Sequence, residues 1–565
     1  MRRRRLLPLL LGCSLFAALG VAVPVAAHRD ALAPRLATNG PAAAPAGVDP
    51  CPPESHRFLP GDGRYHTYTE MCEEVVAVAA AHPAIIQWSD LPTTSYQGRD
   101  ILLAKISDNV ALDEDEPEVF FNALTHAREH ITVEQALAML QWFADGYGVD
   151  SRITDIVNGR EIWIVFMVNP DGGEFDLRDT ADATDARYLS WRKNRQPNDG
   201  SYGTDVNRNF GYRWGCCGGS SSNPAAITYR GPSAWSSPEA VALRDFVLSR
   251  RVGGRQQIRI EVAFHAYGRQ ILYPYGYTTA NVPSDMTDHD WRALSKLAIA
   301  MGSRNGYRAT QTSSNYVASG TFGDWAYGRQ RIMSFTFELH PRTAAEGGFY
   351  PPGSAIAAAV EENREALLYL IEQADCPYRA AGATYEQQDC GPFFDDLEMD
   401  RAWQVDPLGT DTATLGRWQR GDAGGTEAGG VKQRADAASG RGVLATGLLP
   451  GTSAGELDLD GVTTVQSPPI EVPPAARLTF RFTWAHDALS SDADLLRARV
   501  LHDAGQRIVW LRRGEAADRD AVWGAASVDL AEFAGKTVRI RFEARDGDVD
   551  SLVEAAIDEV RVTVP

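Results

Sequence analysis

An α/β fold, with a mixed sheet covered by helices and an all-β sandwich after it, is predicted by three observations on this 565-residue chain. Short β-branched or aromatic runs alternate with helix-length segments before Cys376, which is the pattern of a helix-covered sheet. Polar residues follow two of those runs, where open α/β folds place their sites. After Cys390 the chain turns rich in Gly, Thr and Asp, and period-two alternation takes over, as in an antiparallel sandwich. The length suggests two or three domains.

In chain order, residues 1–27 read as an export signal. Arg2–Arg5 are basic, Leu6–Val25 are nearly all apolar or small, and Val25-Ala26-Ala27 suits cleavage before His28. A membrane anchor is disfavoured by the interruptions at Cys13, Gly20 and Pro24. A lipoprotein signal ending at Cys13 is disfavoured because the apolar run continues past it. Localisation is therefore predicted as secreted, extracellular or periplasmic, with no stable membrane span after signal removal. Residues 28–55, rich in Ala and Pro, form a flexible leader. Residues 56–376 form the α/β domain. Its strands are predicted at Ile101–Ile106, Val119–Leu124, Ile162–Val168, Ile258–Phe264 and Met333–Leu339. Its helices are predicted at Val133–Tyr147, Pro238–Arg250, Trp291–Asn305 and Ser354–Ala374. Residues 377–390 are a linker, and 391–565 are a β-sandwich accessory module. The module's strands are predicted at Ala476–Phe482, Arg507–Leu511, Thr537–Phe542 and Ala556–Val562.

The net charge of −19, with no basic cluster outside the extreme N-terminus, excludes a nucleic-acid partner. Signal removal leaves six cysteines, an even count that suits disulfides in an exported chain. Cys51 with Cys72 and Cys376 with Cys390 are local candidate pairs, Cys216 and Cys217 are adjacent, and the connectivity stays open.

His126-Ala127-Arg128-Glu129 stands between a strand-like and a helix-like stretch. A His and a carboxylate three residues apart can reach one metal ion, and hydrolytic zinc takes three ligands of the His/Glu/Asp class while leaving a position for water. His265, closing another strand-like run, is the best third candidate. Alone, the spacing is more often a solvated His–Glu pair. Its company reverses the odds: Trp191-Arg192-Lys193-Asn194-Arg195, Asp205-Val206-Asn207-Arg208-Asn209-Phe210, Tyr316-Val317-Ala318-Ser319-Gly320 and Phe335-Thr336-Phe337-Glu338-Leu339.

In order and spacing these motifs resemble the zinc carboxypeptidases of the funnelin family, from about Phe58 to Cys376. The resemblance implies a zinc carboxypeptidase fold for residues 56–376 and hydrolysis of C-terminal peptide bonds by a zinc-activated water. It implies zinc at His126, Glu129 and His265, one ion per catalytic domain. Glu338 becomes the general base, and an acid amid Phe335, Phe337 and Leu339 is costly unless it has a task or partner. Arg192 becomes the group that stabilises the oxyanion. Asn207 and Arg208 become the clamp for the terminal carboxylate, and Tyr316 a tyrosine that closes over substrate. The pocket for the terminal side chain is implied at Thr321, Gly323, Leu272 and Thr336. Relatives that accept basic residues carry an acid at the position of Thr321 or Gly323; this chain has none there, which points to apolar or broad preference. The resemblance places Asp324 as a structural neighbour of Trp325, and a basic preference would point to Asp324 or an unrecognised acid.

The resemblance also favours a vicinal Cys216–Cys217 bridge. It suggests calcium at the acid run Asp113, Glu114, Glu116 and Glu118, with help from Tyr65, Glu70 and Glu161, a run that is otherwise an ordinary solvated loop. The C-terminal part resembles jelly-roll modules of secreted bacterial hydrolases and suggests attachment to a surface or polymer. Partners are thus peptide or protein substrates. Two alternatives remain: a cell-wall peptide hydrolase of the same fold, and a non-catalytic binding protein on a peptidase scaffold, against which the intact His126, Glu129, His265, Arg192 and Glu338 argue.

Overall fold

The computed structural model describes residues 51–53, 56–181, 186–252, 255–449, 456–547 and 551–564. The predicted export segment 1–27, and all of the leader but residues 51–53, lie outside the described residues. Among the described residues no helix is long and apolar enough to cross a membrane.

One eight-stranded mixed sheet organises the first part. Its strands are β1 (Ile86–Asp90), β2 (Leu102–Ile106), β3 (Glu118–Asn122), β4 (Glu161–Val165), β5 (Ile258–Ala266), β6 (Gln270–Tyr273), β7 (Arg308–Gln311) and β8 (Met333–Leu339). They lie in the order β1-β2-β4-β3-β5-β8-β6-β7. The central run β4-β3-β5-β8 is parallel, and antiparallel pairs flank it. Every residue of β2 and β3 is buried, as expected of strands covered on both faces. Their runs are accordingly apolar with almost no alternation. The strands β1, β6 and β7, unpredicted, are four or five residues long and lie at or near the sheet edges.

Two differences from the sequence-based expectation have clear causes. Strand β5 continues through Ala266, so His265 lies inside the strand and does not follow it. The expected helix 354–374 divides into Ile356–Glu361 and Arg364–Glu372. At the break the Asn363 side chain donates to Gln135 and Ala359 and accepts from Asn305, competing with the helical ladder. Smaller shifts follow from caps. Helix Asp288–Asn305 starts ahead of Trp291 because the Thr287 hydroxyl accepts from the Asp290 amide.

The register does work for the site. Strands β5 and β8 pair so that Glu338 lies beside His265 and Thr336 beside Ala263. Strands β6 and β8 pair so that Leu272 lies beside Thr336. Neighbours at one level of a sheet project to the same face.

After Cys390 come two six-stranded antiparallel sheets. Their long strands, Arg477–His486, Leu495–His502, Gly505–Arg513, Thr537–Arg545 and Val553–Thr563, share a core that includes Leu478, Phe480, Trp484, Val500, Ile540, Phe542 and Ile557. The segment expected as a linker is ordered as a 3-10 turn at Pro377–Ala381 and a helix at Ala383–Asp389. Disulfides join Cys51 to Cys72, Cys216 to Cys217 and Cys376 to Cys390. The two parts touch directly: Arg331 pairs with Glu398 at 2.6 Å, and the Gln387 amide donates to the Val564 carbonyl at 2.9 Å.

Candidate active site

The turn after β3 positions the first two site residues. Leu124 takes a left-handed φ of 51°. The Thr132 hydroxyl accepts from the Leu124 amide and donates to the Glu129 carbonyl, closing the turn before helix Ile131–Gly146 begins. The Ala127 amide donates to the Arg192 carbonyl and ties the turn to a segment far along the chain.

His126, Glu129 and His265 converge, all buried, with one donor atom from each within 4.8 Å of the others. His126 Nδ1 lies 3.0 Å from Glu129 Oε1, and His265 Nδ1 lies 2.9 Å from Glu129 Oε2 and 3.0 Å from His126 Nδ1. Burial alone would raise the Glu129 carboxyl, but the two histidines hold it well below the usual range. Burial, and then the Arg192 charge, lower His126, which favours the neutral imidazole a metal requires.

Asp205 is the residue whose part the sequence did not reveal. Its Oδ1 lies 3.2 Å from His126 Nε2, and its Oδ2 accepts from Arg192 Nε at 3.0 Å. Burial opposes its charge, yet Arg192, Arg208 and His126 keep its carboxyl well below the normal range. One fully buried carboxylate thus orients both a candidate ligand and a candidate electrophile. Its place two residues before Asn207-Arg208 was the available signal.

His126, Glu129, Arg192 and His265 face a cavity of about 330 Å³, which Asn207, Arg208, Leu272, Tyr316, Thr321, Gly323, Thr336 and Glu338 also line. Glu338 is pushed up to about 7 by burial, with the Glu129 charge adding to the rise and His265, Arg192 and Arg208 opposing it. Arg208 is only 2% exposed, donates through Nη1 to the Asn207 carbonyl at 2.7 Å, and has no partner at Nε. Tyr316 is 59% exposed at the mouth, and the Arg208 Nη2 reaches its hydroxyl at 3.4 Å.

Asp324 lines the cavity. It is buried and accepts from the Gly276 and Tyr277 amides at 2.8 and 3.0 Å, and burial pushes it up to about 7. Ser334 also lines the cavity and donates to the buried Glu261 behind it at 2.5 Å. A Cβ at Gly323 would stand 3.0 Å from the Ser334 hydroxyl, so glycine keeps that wall open.

The proposed calcium set is not assembled as one site. Asp108, Glu114 and Glu116 form one carboxylate group, and Asp113, Glu118 and Glu161 another. The second already holds cations, because Arg250 pairs with all three of its members and Lys105 with Glu161. Glu70 instead closes the cap of helix Tyr68–Ala81 with Thr67, and the Tyr65 hydroxyl donates to the Pro351 carbonyl.

Residues 71–366 match a protein-family model described as zinc carboxypeptidase. A zinc carboxypeptidase of Saccharothrix mutabilis subsp. capreolus is 42% identical over 330 residues, spanning 58% of this chain and 73% of that one. Carboxypeptidase A1 of Sus scrofa is 31% identical over 315 residues, spanning 54% and 70%. The crystal structure of thrombin activatable fibrinolysis inhibitor (TAFI) superposes with a TM-score of 0.48 at 25% identity, covering 55% of this chain and 74% of that one.

Proposed function

Because this chain belongs to the zinc carboxypeptidase family and is a peptide hydrolase, we propose that it is a secreted exopeptidase that removes apolar residues from peptide C-termini. The observation that carries this reading is the gathering in one cavity of the His126–Glu129–His265 triad, a raised carboxyl at Glu338 and a buried arginine at Arg208. Two imidazoles and a carboxylate directed at one point fit zinc by donor type and number. When bound there, zinc supplies Lewis acidity and lowers the pKa of a water to about 7.

The chain's own groups supply the rest. Arg208 and Asn207 grip the terminal carboxylate and set the scissile carbonyl against the triad. Arg192, aimed by Asp205, stabilises negative charge on the carbonyl oxygen as the water oxygen bonds to carbon. Glu338 takes the proton from that water and delivers it to the amide nitrogen as the C–N bond breaks. Tyr316 closes the mouth and excludes bulk water. Residues 391–565 act as a separate accessory module, since no group in this scheme comes from them.

The direct test is a peptide offered with a free or an amidated C-terminus. Amidation strips the charge that Arg208 is buried to meet, and leaving a buried ion unpaired costs about 3–5 kcal/mol. The expected fall in kcat/KM is roughly 10²–10⁴-fold. Equal rates on the two peptides contradict exopeptidase recognition.

The side-chain preference follows from the walls. Leu272, Phe322 and the opening at Gly323 suit apolar and aromatic residues. Asp324 is a weak counter-charge because two backbone amides occupy its oxygens and it is half protonated near pH 7. Peptides ending in Phe or Leu are expected to exceed those ending in Lys or Arg by about tenfold or more in kcat/KM. The gap narrows above pH 7, as Asp324 ionises. A basic preference at pH 6, where Asp324 is mostly neutral, overturns this.

For calcium, support is confined to Asp108, Glu114 and Glu116. One oxygen of each has no hydrogen-bond partner, and burial with repulsion from Glu114 and Asp108 pushes Glu116 up to about 7. A cation that relieves this repulsion stabilises the fold by mass action. The expected result is a rise of a few degrees in Tm in calcium against a calcium chelator, with zinc saturating, and loss of that rise in Glu116→Gln. A Tm indifferent to calcium removes the site.

A further inference from the structure

A second, larger cavity of about 580 Å³ lies where the start of β5 meets the chain just past Cys390. Four of its residues, Arg255, Arg259, Arg331 and Arg401, also line a narrower recess that no carboxylate lines; Gln330 and Met399 stand with them. Arg331 is fully engaged by Glu398 and the Asp285 carbonyl. The other three are not. Arg401 approaches Asp395 only to 3.6 Å, and its Nε has no hydrogen-bond partner. Among the described residues the side chains of Arg255 and Arg259 take part in no hydrogen bond or ion pair. Burial, with repulsion from Arg255 and Arg401, pulls Arg259 down to about 9.

Of the acids on the wider wall, Asp115 faces Arg255 and Arg259, while most of the others have partners of their own. Asp113 pairs with Arg250, Asp375 with Arg379, Asp389 with His289, and Asp290 accepts from Tyr327 and Tyr378. Beyond the Asp115 and Asp395 carboxylates at their margins, three guanidinium groups meet at a recess that has no carboxylate in its lining, and such a gathering is unfavourable unless an anion joins it. Their planar donor forks match the oxygens of a compact oxyanion.

We propose that Arg255, Arg259 and Arg401 form a binding site for one oxyanion of the sulfate or phosphate class, held between the α/β part and the sandwich. Arg255 comes from the short hairpin just before β5, Arg259 from the start of β5, and Arg401 from beyond the Cys376–Cys390 disulfide, so a bound oxyanion pins the two parts together. Arg259 precedes His265 on the same strand by six residues, roughly 20 Å at strand rise. Occupancy therefore leaves the catalytic cavity untouched.

The test is calorimetric titration of the full chain with sulfate, at ionic strength held constant with chloride. Arg208→Gln is carried in every arm so that the carboxylate clamp contributes no heat. One saturable site is expected. Arg259→Gln and Arg401→Gln should each weaken it by about tenfold or more, while peptide hydrolysis by either variant with Arg208 intact stays unchanged. Arg401 sits on a half-buried loop, so its variant keeps the test open if Arg259→Gln fails to fold. Inorganic phosphate and glucose 6-phosphate then separate a free ion from an esterified one. Absence of saturable binding of either inorganic ion, or binding indifferent to both arginine substitutions, overturns the proposal.

Discussion

Glu338→Gln is expected to lower kcat by roughly 10²–10⁴-fold, the usual worth of a positioned proton shuttle, while zinc stays bound. The amide keeps the shape of the side chain but cannot accept the water proton or pass it to the leaving nitrogen. Glu338 is well placed for this work. Burial and the nearby Glu129 charge raise it to about 7, so it can hold a proton briefly and release it. The sign for pH follows: the base must be ionised, so kcat/KM of the native enzyme falls as pH drops through the Glu338 titration. Zinc and substrate analysis on the same preparation decides the matter. Full zinc content with retained turnover would remove Glu338 from the proton path, whereas zinc lost together with activity would make it a structural support of the triad.

The second large effect is expected from His265→Ala. It removes one of three converging donors and leaves Glu129 with a single histidine. Loss of even an indirect support of a metal site typically costs about 10–100-fold in affinity, so removing a donor is expected to exceed that and to abolish peptide release at ordinary zinc concentrations. The strand should survive, because the backbone of β5 stays paired with β3 and β8. Metal analysis alongside circular dichroism separates the outcomes. A folded variant that still carries one tightly bound zinc contradicts the ligand role of His265. Treating the native enzyme with a chelator should reproduce the defect, and added zinc should reverse it only in the native chain.

The sequence alone determined what is local. Largely apolar runs, rich in β-branched and aromatic residues, marked β2, β3, β4, β5 and β8 to within a few residues, because strands covered on both faces are apolar at most positions. The three-residue spacing placed His126 and Glu129 on one turn, and local cysteine spacing suggested two of the three disulfides. Arg192 and Arg208 were legible only through resemblance, whereas His265 was marked by its place at the close of a strand-like run and Glu338 by its apolar neighbours Phe335, Phe337 and Leu339. The tertiary structure decided which of them meet. Sheet register brings Glu338 beside His265 and Leu272 beside Thr336, although more than sixty residues separate each pair. A long-range ion pair made Asp205 the common support of His126 and Arg192. Partners distant in sequence split the acid loop, with Arg250 and Lys105 taking half of it. Short edge strands and the break at Asn363 escaped prediction for the same reason: their hydrogen bonds are completed by distant groups, and a chain read residue by residue carries no record of who will complete them.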